Sequence, residues 1–164
     1  MLKYFSCKHI FYVDWFRGGR VENLYRIVIE REDDVYMAST IGKRVADEYG
    51  LNKSQQTKLV VSIMELTRNI VYYAGKGELF IKPLPSYGIE IIAIDQGPGI
   101  PNLDEVLNNT VPSKTGLGLG LSGVKRLMDE FEISSTINIG TKVKAVKWIN
   151  EGQARKIDIN NHNR

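Results

Sequence analysis

The chain has 164 residues, 43% hydrophobic and 25% charged, with a formal net charge of +3; this length fits one domain with a sizeable core, and the composition is that of an ordinary globular chain. The charge is small and scattered, so no nucleic-acid surface is expected, and the groupings Lys125-Arg126 and Lys142/Lys144/Lys147 read as solvated faces. A lone cysteine, Cys7, allows neither an internal disulfide nor a zinc cluster, and neither a membrane-length apolar run nor a leader peptide is legible, so a cytoplasmic chain with no membrane partner is expected.

In chain order, residues 1–23 form an extension of uncertain role, residues 24–149 the domain, and residues 150–164 a polar, flexible tail. The aromatic-rich start reads as an added strand or as an arm that forms a homodimer, with translated sequence upstream of the true start as the weaker alternative. Residues 24–30 (LYRIVIE) are β-branched and partly alternating, hence a strand. Ser39-Thr40 can cap a helix running to Tyr49, stopped by Gly50. A second helix begins at Asn52 or Ser54 and carries Leu59, Ile63, Leu66, Ile70 and Ala74 at helical spacing, up to the break at Gly75-Lys76-Gly77. Strands at 78–83 and 88–94 follow, joined through Pro85-Ser86-Tyr87, then a loop over 96–118 rich in Gly, Pro, Asn and Ser. A third helix spans about 119–131, and strands at about 132–138 and 142–149 are split by Ile139-Gly140-Thr141. The sum is an α+β fold, one sheet covered by helices.

Three segments carry chemistry. On the second helix, Glu65 and Asn69 are four apart and so differ by only about 40° around the axis. A carboxylate there can take a proton, and an amide oxygen can hold a hydrated magnesium ion; taken alone, the pair also describes a solvent-facing helix edge. Next, the apolar run Ile91-Ile92-Ala93-Ile94 ends in Asp95-Gln96-Gly97-Pro98-Gly99. Asp95 can accept a hydrogen bond from an amino group such as that of adenine, and the glycines let backbone pass close to a planar base; alone, the segment is also a turn in which the aspartate bonds its own backbone. Last, Lys114-Thr115-Gly116-Leu117-Gly118-Leu119-Gly120 runs into a helix, exposing backbone N–H groups at its positive end as a phosphate site does. It matches neither the Walker A nor the Rossmann pattern.

In this order and at these separations, the three segments resemble the N, G1 and G2 boxes of the GHKL ATPase superfamily, and Gly140-Thr141 resembles its closing Gly-Thr. The resemblance covers roughly residues 26–148. It implies the Bergerat ATP-binding fold, an α+β sandwich with one mixed sheet covered on one face by about three helices, and a mobile lid over the phosphates. Histidine kinases of the superfamily need a phospho-accepting histidine on a dimerisation helix, and neither His9 nor His162 is placed for that role. Gyrase-like members need a second domain, for which this chain has no room. Residues 65–77, 95–101 and 116–131 are most similar to the anti-sigma-factor-type serine/threonine kinases, in particular the switch kinases of the stressosome.

That resemblance implies ATP and Mg²⁺ as cofactors. It implies Glu65 as general base, Asn69 as the Mg²⁺ ligand, Asp95 as the reader of adenine N6, Gly97 and Gly99 as shapers of the base pocket, and Thr141 as a hydroxyl beside it. Gly116, Gly118 and Gly120 would wrap the phosphates. Lys114 stands where a lid would bring charge to the γ-phosphate, and Arg68 is a second such cation. Implied partners are STAS-domain proteins of the stressosome scaffold or antagonist type, with a PP2C-type phosphatase or sigma-factor regulator downstream. A binding switch that holds a sigma factor or STAS protein by means of nucleotide, with little kinase activity, is the alternative, and a histidine-kinase catalytic fragment stands third.

Overall fold

A computed structural model describes residues 10–17, 20–85, 87–108 and 119–149. The elements are β1 (Ile10–Arg17), β2 (Arg20–Ile29), α1 (Glu32–Glu48), α2 (Lys53–Asn69) continued by a π-turn (Ile70–Ala74), β3 (Gly77–Leu84), β4 (Gly88–Asp95), the short α3 (Leu103–Leu107), α4 (Gly120–Leu127), β5 (Glu130–Thr136) and β6 (Gly140–Trp148). They form one sheet of order β1-β2-β3-β4-β6-β5, with α1 against β2 and β3, α2 against β4 and β6, and α4 against β5.

Every neighbouring pair is antiparallel, so the expected mixed sheet is corrected to an antiparallel one. The reason is the order of the strands. Helices α1 and α2 separate β2 from β3 and return the chain to the end it left. Helices α3 and α4 lie between β4 and β5, which both run antiparallel to β6 and so parallel to each other, but β6 inserts between them and no parallel pair forms.

The sheet buries its face in registered rows. Tyr25, Ile81, Ile91, Ala145 and Phe131 stand opposite one another across five strands, and Ile27, Leu79, Ala93, Val143 and Ile133 form the next row. Ile27, Leu79, Ile81 and Ile91 are wholly buried in one core with Leu59, Ile63 and Leu66 of α2, and each such side chain contributes about 1.5–3 kcal/mol. One row further on come Ile29, Gly77, Asp95, Thr141 and Ser135. The polar residues at its β4, β6 and β5 positions therefore share the core face.

Two boundaries and one side chain differ from the sequence reading. Helix α1 starts at Glu32, with Asp34 accepting from the backbone N–H of Glu30 and Arg31 at 2.9 and 3.1 Å; the acidic triplet Glu32-Asp33-Asp34 suits a helix N-terminus. Ser39 and Thr40, read as its cap, instead bond back to the carbonyl of Tyr36 inside the helix. Helix α4 stops at Leu127, because Asp129 takes the backbone N–H of Trp148 at 2.7 Å and draws the chain into β5. Lys147, read as part of a solvated face, is buried and donates to Asp129 and to the carbonyl of Leu127.

Candidate active site

Helix α2 enters through a cap at Asn52, whose side chain accepts from the N–H of Gln55, and carries Glu65 and Asn69 on its last turns. Glu65 is completely buried, which removes the reading of a solvent-facing edge. Its carboxylate accepts from the backbone N–H of Gly120 at 2.9 Å, the first residue of α4. One carboxylate thus ties the end of α2 to the N-terminus of α4, where unsatisfied N–H groups and the helix dipole favour negative charge.

After Asn69 the chain widens into the π-turn, closed by Gly75 donating to the carbonyl of Ile70 at 2.8 Å. Such turns are rare and recur at functional sites. This one places Ile70, Tyr73 and Ala74 in the wall of a cavity of about 340 Å³. Asn69, Asp95, Gly99, Gly120 and Thr141 line the same cavity, over a floor of Leu66, Ala93, Leu121 and Val143. Its volume is that of small-molecule sites, which are mostly apolar with a few convergent polar groups.

At one end Asp95 leaves β4 and accepts from the N–H of Gly97 at 2.8 Å, the self-bonding turn that the sequence allows, and from the N–H of Thr141 at 3.3 Å. Gly97 sits behind this wall against Ala74: a Cβ on it would lie 2.6 Å from the Ala74 Cβ. Gly99 has φ +74, and a Cβ there would meet the Thr136 carbonyl oxygen at 2.5 Å. Gly140 is tighter still, with φ +141 and a Cβ position 2.0 Å from the carbonyl oxygen of Asp95. Glycine is the residue that fits such approaches.

The structure thus brings Glu65, Asn69, Asp95, Gly97, Gly99, Gly120 and Thr141 to one cavity and its walls. Lys114, Gly116 and Gly118 lie outside the described residues. Arg68 is turned to α1, where its Nε donates to Glu32 at 2.9 Å. Partial burial opposes its charge, but the bond and charge of Glu32, helped by Tyr36, outweigh that and raise its pKa above the ordinary arginine value. Sequence reasoning missed Ser135, whose hydroxyl accepts from the N–H of Ile100 at 2.9 Å and lies 2.9 Å from the Thr141 hydroxyl. The signal that would have found it is the hairpin register, which sets Ser135 opposite Thr141.

Among the described residues, no helix is long and apolar enough to cross a membrane, and no cluster of three or more His, Cys, Asp or Glu stands ready for a metal.

The chain is 44% identical over 124 residues to the serine/threonine-protein kinase RsbT of Bacillus subtilis (strain 168), a match that spans 74% of this chain and 93% of that protein. It is 26% identical over 106 residues to an anti-sigma F factor of Bacillus licheniformis, spanning 60% of this chain and 73% of that one. Its fold is similar to that in a crystal structure of the RsbU and RsbW domains of a Mycobacterium tuberculosis protein, with a TM-score of 0.54, 14% identity, and coverage of 75% of this chain and 32% of that chain; this likeness shows the fold alone. Residues 30–147 match the histidine kinase-like ATPase domain, a span that holds the cavity, its Asp95 end and its Glu65 end, and the chain belongs to that family.

Proposed function

We propose that the chain is an ATP-dependent protein serine/threonine kinase that acts as a partner switch in bacterial stress or sigma-factor regulation. The observation that carries this reading is the buried Glu65 carboxylate held at the N-terminus of α4, one helical turn from Asn69 in the wall of a cavity whose other end presents Asp95 and Thr141. The relative named as a serine/threonine-protein kinase, matched over 93% of its length, supports the reaction class.

The residues fit an adenine nucleotide. Asp95 offers carboxylate oxygens, which only accept, to an exocyclic amino group. Gly97 and Gly99 let the loop after Asp95 pack directly on Ala74 and Thr136, where a Cβ would clash, and so set the wall beside which a flat ring would lie. Gly120 heads a helix whose N-terminus attracts phosphate, and Gly116, Gly118 and Lys114 precede it in the sequence. Bound Mg²⁺ would neutralise the charge on the transferred phosphoryl group. Asn69 would hold it through its amide oxygen, a donor set that fits because this ion keeps several waters and phosphate oxygens as ligands and needs few from protein. Glu65 takes the proton of the acceptor hydroxyl as that oxygen bonds to the γ-phosphorus, while the bond from the γ-phosphorus to the bridging oxygen breaks and ADP leaves. Phosphoryl transfer asks little more of a protein than positioning and charge.

The acceptor in this reading is a STAS-domain protein, and release from it frees the kinase to bind and activate a PP2C-type phosphatase in the cytoplasm. The test is intact mass of STAS proteins encoded beside this gene after incubation with the chain and Mg-ATP, with Glu65→Ala as control. One of them gaining a phosphoryl group only with the unaltered chain is the expected result. ATP binding without transfer to any of them would overturn the kinase reading in favour of a nucleotide-gated binding protein.

A further inference from the structure

We propose that Ser135 is a positioning residue that makes the site selective for adenine, by fixing the direction in which the Thr141 hydroxyl donates. The inference rests on the nucleotide reading of the cavity and names a residue that does not itself line it.

The argument is one of proton count. The Ser135 hydroxyl accepts from the backbone N–H of Ile100 at 2.9 Å, and that N–H can only donate. Its own proton then has two destinations, the Thr141 hydroxyl at 2.9 Å or the Gly140 carbonyl at 3.5 Å. The shorter contact has normal hydrogen-bond length and the longer does not. Either hydroxyl could donate across the shorter one, and Ser135 donating to Thr141 is the direction that leaves neither proton in the poor contact. A hydroxyl has one proton, so Thr141, with an oxygen lone pair engaged by Ser135, keeps its proton for the cavity it lines.

The row Asp95, Thr141, Ser135 across β4, β6 and β5 therefore presents an acceptor beside a donor. That order complements the adenine edge, an amino group that donates next to a ring nitrogen that accepts. It opposes the edge of hypoxanthine or guanine, an accepting oxygen next to a donating ring N–H. With Ser135 removed, the Thr141 hydroxyl is free to accept instead, and the site loses half of its reason to refuse the opposite edge. Ser135 also anchors the loop that follows Asp95, through Ile100, so its removal has two effects that must be separated.

The experiment measures equilibrium binding of Mg-ATP and of Mg-ITP, which differ in that edge alone, to the full chain and to Ser135→Ala, Ser135→Thr and Thr141→Val. Loss of the loop anchor lowers both affinities alike and leaves their ratio unchanged. Loss of proton direction lowers the ratio of ATP to ITP affinity by about three- to tenfold, the worth of one directed hydrogen bond. Ser135→Ala and Thr141→Val are expected to lower the ratio by similar amounts, and Ser135→Thr, which keeps the hydroxyl, to restore it. A ratio in Ser135→Ala equal to that of the unaltered chain overturns the inference while leaving the nucleotide site in place. An unaltered chain that binds no ATP overturns both. Thermal unfolding of each variant, alone and with ATP, shows whether a low ratio comes from a folded protein.

Discussion

The two ends of the cavity are held by different kinds of structure. The Asp95 end, the base end in the proposed reading, is framed by backbone: Asp95 bonds Gly97 and Thr141, Ser135 bonds Ile100, and Gly97, Gly99 and Gly140 touch atoms that leave no room for a Cβ. The Glu65 end, the phosphate end in the proposed reading, is framed by the ends of two helices, with Glu65 bridging α2 to the first N–H of α4. A flat base is recognised by a surface that does not move, and a strand row supplies one. A transferred group needs charge and a proton acceptor at a point, and helix termini supply those without enclosing the site. Changes at the phosphate end should therefore show in turnover, and changes at the base end in affinity and selectivity.

The strongest test of that division is Glu65→Gln. The amide oxygen can still accept from Gly120, so the tie between α2 and α4 survives, while the proton acceptor is lost. Phosphoryl transfer is expected to fall by about 10²–10⁴-fold, the usual worth of a general base, with ATP affinity and the ATP-to-ITP ratio unchanged. Single-turnover transfer at the normal rate would reduce the carboxylate to a structural tie. Next in size is Gly140→Ala. A Cβ there would press on the Asp95 carbonyl at 2.0 Å and hold an alanine at φ +141, so the chain should lose about 2–4 kcal/mol of stability and much of its ATP affinity, read by denaturant unfolding and calorimetry. Full ATP affinity in a folded Gly140→Ala would show that the base end is softer than its contacts imply. Smaller again is Asp95→Asn, which puts an amide in place of an acceptor-only group. About 1–3 kcal/mol of adenine affinity should go, with the single-turnover rate at saturating ATP nearly intact; unchanged affinity would remove Asp95 from the base pocket.

The sequence carried more of the site than of its frame. Asp95, Thr141 and the glycines near them stand at strand ends, where type and order are legible without tertiary knowledge, and Glu65 and Asn69 share a helix face by spacing alone. The burial of Glu65 was not legible, because it is α4, some fifty positions on, that covers it. Ser135 escaped for a related reason: its role follows from the register of the β5–β6 hairpin, set by a turn in which Asn138 takes φ +59. Helix α1 began earlier than expected because its start is marked by acidic side chains and not by Ser39 or Thr40, which bond within the helix. That no parallel pair forms depends on β6 entering between β4 and β5, a matter of strand order that local sequence does not carry.

The smallest expected effect bounds what frames the base end. Strand β6 carries Thr141 on the covered face and, three residues on, Lys144 on the other, within 3.4 Å of Glu132 and 4.0 Å of Glu90. If ion pairs across the open face held β6 in place, Lys144→Ala would loosen the row that carries Thr141 and weaken ATP binding. These pairs are partly solvated, and such pairs are worth about 0–1 kcal/mol, whereas the buried row of Ala93 and Val143 beside them is fixed by packing. Lys144→Ala should therefore shift the unfolding midpoint slightly, by less in high salt, and leave ATP affinity and the ATP-to-ITP ratio untouched. A clear loss of either would place part of the frame in the surface charges of the open face, and the contrast between the two ends of the cavity would then rest on less than backbone and core.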